Sequence, residues 1–223
     1  GECRALLITG NGRGFCAGAD IVDLFKAQAE SDADQGAGSQ APGNWVELVR
    51  GSKPMVAAVN GAAIGVGLTQ ILPFDYIIGG PSAKFSARFI KMGLVPELAS
   101  SHFIAARTGF GQANRLMLTG ETIDSARALQ IGLIDECVTT EAELVERGIA
   151  LAQSMGDNPQ DALRMVKALV TQNLAETDLK KIQHRELTAL HTCYESVEHK
   201  EAIDAFINKR PPDFRAARAS TSD

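Results

Sequence analysis

The sequence predicts an α/β protein with a helical C-terminal region. Apolar runs that suit buried strands, such as "ALLIT" at residues 5–9, lie mainly before residue 90 and end in glycine-rich turns. Beyond Pro96, the apolar residues recur at helical spacing instead. Strands followed by helices suit a sheet-containing core with an appended helical region, which we place at residues 1–135 and 136–223.

Each predicted element follows from a local pattern. Buried strands are predicted at residues 5–9, from Pro54 onward, and at residues 74–80 and 83–86, with a short strand in "IGLIDECV". Residues 30–43 are small, acidic and polar, which predicts a surface loop. Amphipathic patterns and caps such as Asp124 predict helices at residues 21–27, 44–50, 100–107, 112–118, 125–130, 140–155, 159–173, 178–194 and 196–208. The glycine-rich turn at residues 61–68 is expected to lead into a further helix toward Leu72.

Composition restricts the possible partners. The 223 residues carry a formal charge of −5 and only 5% aromatic residues, which argues against binding to nucleic acid or to anionic membranes. Four widely spaced cysteines are typical of buried, reduced thiols in a cytoplasmic protein. No apolar stretch approaches membrane-spanning length. Gly1 is not an initiator methionine and a strand begins within five residues of it, so we expect a segment before it.

Two strands end in turns of very small residues. The first turn is "GFCAGAD" at residues 14–20, and the second is "GAAIGVGL" at residues 61–68. Small residues allow a ligand to approach main-chain N–H groups, and two such donors aimed at one point form an oxyanion hole. Tight strand–helix packing is the alternative explanation for either turn alone. Neither turn has the lysine of a phosphate-binding loop or the spacing of a dinucleotide fingerprint.

Six sequence blocks then resemble a known family in order and spacing. They are "GFCAGADI", "KPMVAAVNGAAIGVGL", "FDYII", "KFSARFIKMGLVPE", "LMLTGETIDSARALQIGLIDECV" and "AFINKRPPDF". Together they resemble the crotonase superfamily, which includes enoyl-CoA hydratases and isomerases. The resemblance implies a crotonase (ClpP-like) spiral of β-β-α turns, with a helical C-terminal region that forms homotrimers or dimers of trimers.

The resemblance also implies an acyl-CoA thioester as substrate, so that coenzyme A enters with the substrate and no separate cofactor or metal is needed. It places the thioester oxygen between the N–H groups of Ala19 and Val66. It further implies a substrate-binding segment formed by Ala17, Gly18, Ala19, Asp20 and Ile21, together with Val66. The Lys209-Arg210 pair resembles a basic stretch that approaches CoA phosphates, although a solvated helix end explains it equally well.

The acid–base positions of the family point away from hydration. Thr69 and Phe89 stand where hydratases of this family have two glutamates, and neither side chain can act as a carboxylate. "LVPELASS" resembles instead the segment that carries the catalytic glutamate of peroxisomal-type Δ3,Δ2-enoyl-CoA isomerases, and the match falls on Glu97. The structural alternative for Glu97 is that it caps the following helix. Isomerisation needs one carboxylate, which we expect in an apolar acyl pocket.

Other functions remain possible at this level. A hydratase could recruit a carboxylate from elsewhere, such as Glu47, and thioester hydrolysis or dienoyl isomerisation would suit the same fold. A non-catalytic acyl-CoA binder or assembly subunit is the alternative from another class. RNA binding, which some family members show, suits the acidic and aromatic-poor chain least.

Overall fold

The structure is a computed structural model that describes residues 3–20 and 44–220. They form two compact units. The core unit comprises Leu6–Val49 and Met55–Ala152, and the helical unit comprises Gly1–Ala5, Arg50–Pro54 and Gln153–Asp223. The helix predicted at residues 21–27 and the loop predicted at residues 30–43 lie outside the described residues. In the described part of the chain, no helix has the length and apolar character to cross a membrane.

Two small sheets organise the core unit. The first has the strand order β1-β2-β4-β7 with all strands parallel, and the second has the order β3-β5-β6. In the second sheet β3 and β5 are parallel, whereas β5 and β6 are antiparallel. The strands are β1 (Leu6–Thr9), β2 (Met55–Val59), β3 (Ala62–Ile64), β4 (Tyr76–Gly79), β5 (Lys84–Ser86), β6 (Ile123–Asp124) and β7 (Glu136–Cys137).

Burial follows strand position in the first sheet. All five residues of β2 are buried, because β1 and β4 pair with it on both sides, as the continuous apolar run predicts. The expectation of a fully buried first strand is wrong. β1 is an edge strand, and its Leu6 and Ile8 side chains are 40% and 37% exposed.

Six α-helices of the described chain begin in the core unit, and the first and last of them end at residues assigned to the helical unit. The Asp124 side chain accepts a hydrogen bond from the Arg127 N–H and caps the helix that follows, as predicted. A 3₁₀ helix at Arg88–Met92 and the short strands β3 and β6 have no counterpart among the predicted elements. The α-helices are α1 (Trp45–Gly51), α2 (Val66–Thr69), α3 (Ser100–Thr108), α4 (Phe110–Thr119), α5 (Ser125–Gln130) and α6 (Glu141–Gly156).

The helical unit contains the four remaining helices of the described chain: α7 (Gln160–Asn173), α8 (Leu179–Glu195), α9 (Val197–Ile207) and α10 (Phe214–Ala219). Asp178 and Ser196 cap α8 and α9 through their side chains. The buried Glu198 carboxylate accepts from the Gln160 N–H at 2.9 Å and pairs with Arg218, which links three of these helices. The predicted helices over residues 159–208 are confirmed, α10 is additional, and the predicted domain boundary at residue 135 stays a prediction.

Candidate active site

Main-chain hydrogen bonds tie the two glycine-rich turns to each other. The Cys16 N–H donates to the Ala62 carbonyl at 2.8 Å, and the Ile64 N–H donates to the Cys16 carbonyl at 3.0 Å. Cys16 thereby forms a parallel bridge with Ala63 of β3. Cys16 has a structural position here, because its main chain joins the turns that the sequence analysis treated separately.

Glycines allow this approach. A Cβ atom on Gly67 would lie 2.0 Å from the Cys16 carbonyl oxygen, and one on Gly61 would lie 2.3 Å from the Arg13 carbonyl oxygen. Both distances are far below van der Waals contact, so a larger residue would push the turns apart. The two turns are therefore tightly packed against each other, as the alternative explanation for these glycines requires. The same packing fixes the positions of the segments that carry the candidate donors.

The two candidate oxyanion donors occupy equivalent places beyond this bridge. Ala19 and Val66 each lie three residues past the bridged pair of Cys16 and Ala63, on chain segments that leave the bridge in the same direction. Neither N–H donates a hydrogen bond within the described part of the chain. Two unused donors on adjoining turns suit a developing oxyanion.

Glycine geometry shapes both turns. Gly65 has φ 57° and ψ −122°, which side-chain-bearing residues rarely adopt, and it starts the short helix α2 at Val66. Gly18 has φ 106° immediately before Ala19. These backbone conformations set the directions in which the Ala19 and Val66 N–H groups point. In the substrate-binding segment Ala17, Ala19 and Asp20 are exposed, and Ile21 lies outside the described residues.

The two positions that the family resemblance matches to the hydratase glutamates differ from each other in burial. Thr69 ends α2 and is 0% exposed, and its hydroxyl has no hydrogen-bond partner among the described residues. Phe89 is half-buried in the 3₁₀ helix. Neither side chain can transfer a proton as a carboxylate does.

Glu97 lies in the loop between the 3₁₀ helix and α3, and its side chain is exposed. Its carboxylate makes no hydrogen bond or ion pair with the described residues. Ala99, with no side-chain cap, is the N-cap of α3, so Glu97 does not cap that helix. The structural alternative from the sequence is therefore wrong, and the carboxylate is available for chemistry.

The surroundings of Glu97 differ from the expected enclosed apolar pocket. Glu97 is exposed in the described structure, and so are residues 91–95 just before it. Apolar residues are nevertheless abundant just before it, and four of them are 41–81% exposed: Ile90, Met92, Leu94 and Val95. Such a run can cover an acyl chain without enclosing the carboxylate.

Ser100 carries a feature that sequence patterns did not reveal. It is 1% exposed, and together with Thr69 it holds the buried side-chain oxygens that lack a hydrogen-bond partner in the described residues. Both residues belong to segments that the family resemblance assigns to the acyl side of the site. A buried polar atom without a partner costs folding free energy, so its presence in these two segments suggests a functional reason.

We expect Ser100→Ala to leave the free energy of unfolding unchanged or to raise it, because no hydrogen bond is lost. The control is Ser86→Ala, since Ser86 is equally buried and its hydroxyl donates to the Glu121 carbonyl at 2.9 Å. Loss of that bond should cost about 1 kcal/mol. Urea unfolding at matched protein concentration measures both. An equal cost at the two serines would contradict the assignment of Ser100 as unpartnered.

The basic pair at the C-terminal end is partly engaged inside the helical unit. The Arg210 guanidinium pairs with Glu201 at 2.6 Å and with Asp204 at 2.5 Å. Hydrogen bonds from Arg210 and from the Asp213 N–H lower the pKa of Glu201 to about 2. The charge of Arg210 is therefore matched locally, although both Lys209 and Arg210 are exposed. No group of His, Cys, Asp and Glu side chains that could hold a metal occurs among residues 3–20 and 44–220.

Comparison with known proteins identifies the family. The sequence profile described as enoyl-CoA hydratase/isomerase matches residues 1–217. The chain belongs to this family. It is 33% identical to the 2,3-dehydroadipyl-CoA hydratase of Escherichia coli over 211 residues, covering 94% of this chain and 80% of that protein. It is also 33% identical to the 1,2-epoxyphenylacetyl-CoA isomerase of Escherichia coli, covering 95% of this chain and 80% of that one.

Solved structures agree with the family assignment. The enoyl-CoA hydratase of Polaromonas sp. JS666 superposes with a TM-score of 0.86 at 28% identity, covering 95% of this chain and 82% of that chain. The resemblance to the crotonase superfamily and the α/β fold class are thus confirmed. As a member of the enoyl-CoA hydratase/isomerase family, the protein is an acyl-CoA enzyme. The closer similarity to peroxisomal-type isomerases stays a prediction.

Proposed function

We propose that the protein is a Δ3,Δ2-enoyl-CoA isomerase in which Glu97 is the single acid–base group. One observation carries this choice among the activities of the family. The Glu97 carboxylate is exposed and has no partner among the described residues, whereas Thr69 and Phe89 occupy the hydratase positions. One available carboxylate suits a reaction that moves one proton.

In the proposed reaction, the Glu97 carboxylate removes a proton from C2 of a 3-enoyl thioester. The electron pair of that C–H bond delocalises through the C3–C4 double bond and the thioester carbonyl, and a dienolate forms. The N–H groups of Ala19 and Val66 stabilise the negative charge on its oxygen. The protonated Glu97 then donates the proton to C4, which leaves the double bond between C2 and C3 and restores the carboxylate.

A hydratase is the second candidate, and the relatives favour it. Proteins named as hydratases are more common among them than proteins named as isomerases, and the Escherichia coli 2,3-dehydroadipyl-CoA hydratase is an example. Hydration would need carboxylates from elsewhere in place of the two missing glutamates. Glu47, exposed on α1, is an example of such a carboxylate. A non-catalytic acyl-CoA binder would catalyse neither isomerisation of a 3-enoyl-CoA nor hydration of a 2-enoyl-CoA.

The deciding experiment incubates the purified protein separately with a 3-enoyl-CoA and with a 2-enoyl-CoA of the same chain length. We expect the 3-enoyl-CoA to be converted to the 2-enoyl-CoA, with conversion followed by chromatography of the thioesters. Hydration of the 2-enoyl-CoA should be slower by ~10² or more, because a positioned acid–base group is missing. Rapid formation of 3-hydroxyacyl-CoA without isomerisation would establish the hydratase alternative.

Two further expectations belong to this proposal. Assembly into homotrimers or dimers of trimers is supported by apolar side chains at the surface of the helical unit, where Leu187, Leu190 and Phe206 are 46%, 43% and 86% exposed. A cytoplasmic location is also part of the proposal, and the widely spaced cysteines support it. The expectation that these cysteines are buried is wrong, because Cys3 is exposed and Cys16, Cys137 and Cys193 are half-buried.

A further inference from the structure

The chain makes an unusual tight turn immediately after Glu97. The Ser100 N–H donates to the Glu97 carbonyl at 3.0 Å, which closes a four-residue turn. Its two central residues, Leu98 and Ala99, have φ 54° and 55°. Positive φ at both central positions defines a type I′ turn, a conformation that strongly favours asparagine and glycine. Leucine and alanine adopt it only at a cost in conformational free energy.

Most of the other residues with positive φ in the described chain are glycines. Gly93 and Gly120 are left-handed at the ends of the 3₁₀ helix and α4. Lys209 is the remaining non-glycine residue with positive φ in the described residues, and it follows the C-terminal end of α9, where a left-handed residue commonly ends a helix. Leu98 and Ala99 instead precede a helix, so helix termination does not explain them.

A second unfavourable feature lies at the same turn. Ser100 ends the turn and begins α3, and its buried hydroxyl has no partner in the described part of the chain. Strained backbone persists only where the surrounding structure enforces it, and strain of this kind clusters at functional sites. Two consecutive left-handed residues and an unpartnered hydroxyl directly after Glu97 therefore point to a functional reason for this turn.

We propose that Leu98 and Ala99 are positioning residues for Glu97. The inference rests on the proposed function, in which Glu97 is the base. With both residues left-handed, the turn sets the direction in which the Glu97 Cα–Cβ bond leaves the chain relative to the start of α3. A return of either residue to negative φ would break the hydrogen bond from Ser100 to Glu97 and redirect the carboxylate. Proton transfer depends on such placement to within a fraction of an ångström.

Ala99 allows a clean test because its side chain is exposed, so substitutions there act mainly through the backbone. Glycine and asparagine tolerate a left-handed backbone, whereas the β-branched valine does not. We expect Ala99→Gly and Ala99→Asn to keep kcat for the 3-enoyl-CoA within about two-fold of wild type. Ala99→Val should lower kcat about ten-fold or more with little change in KM. If Ala99→Val does not fold, Ala99→Thr replaces it in the test. Threonine is also β-branched and disfavours the left-handed backbone, but its side chain is polar.

The matched control is Gly109→Ala at the opposite end of α3. Gly109 has φ 76°, and a Cβ atom added there would meet no other atom within 4 Å, so alanine adds backbone strain in open space. It should lower the thermal midpoint without changing kcat. If Ala99→Val lowers the thermal midpoint but keeps kcat, or if Ala99→Gly loses as much kcat as Ala99→Val, the positioning role is overturned.

Glu97→Gln in the same assay separates this inference from the proposed function. Loss of turnover in Glu97→Gln with full turnover in Ala99→Val would overturn the positioning role alone. Full turnover in Glu97→Gln, or a wild-type protein without isomerase turnover, would overturn the assignment of Glu97 and with it the role of the turn. Both the proposed function and the positioning role would be supported by one pattern of results. In that pattern Glu97→Gln, Ala99→Val and Ala99→Thr lose turnover of the 3-enoyl-CoA, whereas Ala99→Gly retains it.

Discussion

Replacing Glu97 with glutamine should lower the turnover of a 3-enoyl-CoA by ~10²–10⁴, the scale of a positioned acid–base group. Glutamine keeps the size of the side chain and its capacity for hydrogen bonds, but it cannot accept a proton at neutral pH. Binding of an acyl-CoA should persist, since the Ala19 and Val66 donors belong to other segments. Steady-state turnover and calorimetric titration with a saturated acyl-CoA measure the two properties on the same preparation. Folding should also be unaffected, because the carboxylate stabilises no described contact.

Glu47→Gln is the control for this experiment. Glu47 is also exposed in the core unit, and it is the carboxylate that a hydratase would recruit in the alternative mechanism. Isomerase turnover should be unchanged in Glu47→Gln. Equal turnover in wild type and Glu97→Gln would refute the assignment of the base. Hydration of a 2-enoyl-CoA that survives Glu97→Gln but fails in Glu47→Gln would favour the hydratase.

The glycine turns illustrate how much the sequence could predict. Each turn alone was compatible with simple packing, and the six blocks in register were needed to assign Ala19 and Val66 as donors. The structure adds the physical link, which is the bridge between Cys16 and Ala63. Such a pairing joins residues far apart in sequence, and single-strand patterns carry no information about which strands are neighbours.

The burial of the first strand was predicted wrongly and the turn after Glu97 was not predicted, and the two have a similar origin. The apolar run at Leu6–Thr9 suits a buried strand, but its exposure depends on its place at the edge of the sheet. At residues 97–100, the letters "ELAS" contain no glycine or asparagine, so nothing in them predicts a type I′ turn. In both places the tertiary structure overrides the conformation or burial that the local sequence favours. The turn lies next to the proposed base Glu97, and departures from local sequence preference are expected at functional sites.

The bridge between the turns leads to the second large expected effect. Gly67→Ala would place a Cβ atom 2.0 Å from the Cys16 carbonyl oxygen, and both groups are held by the main chain. The turns must therefore separate, and the Ala19 and Val66 N–H groups can no longer both donate hydrogen bonds to the same thioester oxygen. Loss of a single oxyanion donor typically costs ~10²–10³ in rate. We expect a fall in kcat of this size, accompanied by a lower thermal midpoint.

Gly14→Ala provides the matched control in the first turn, because a Cβ at Gly14 meets no atom within 4 Å. It should retain turnover and thermal midpoint close to wild type. Far-UV circular dichroism of Gly67→Ala establishes whether the fold survives. Turnover should be retained in Gly14→Ala and should fall in Gly67→Ala, in line with the steric conflict that each added Cβ meets. A folded Gly67→Ala protein with wild-type kcat would show that the spacing of the two turns does not control the reaction, and the oxyanion role of Ala19 and Val66 would have to be abandoned.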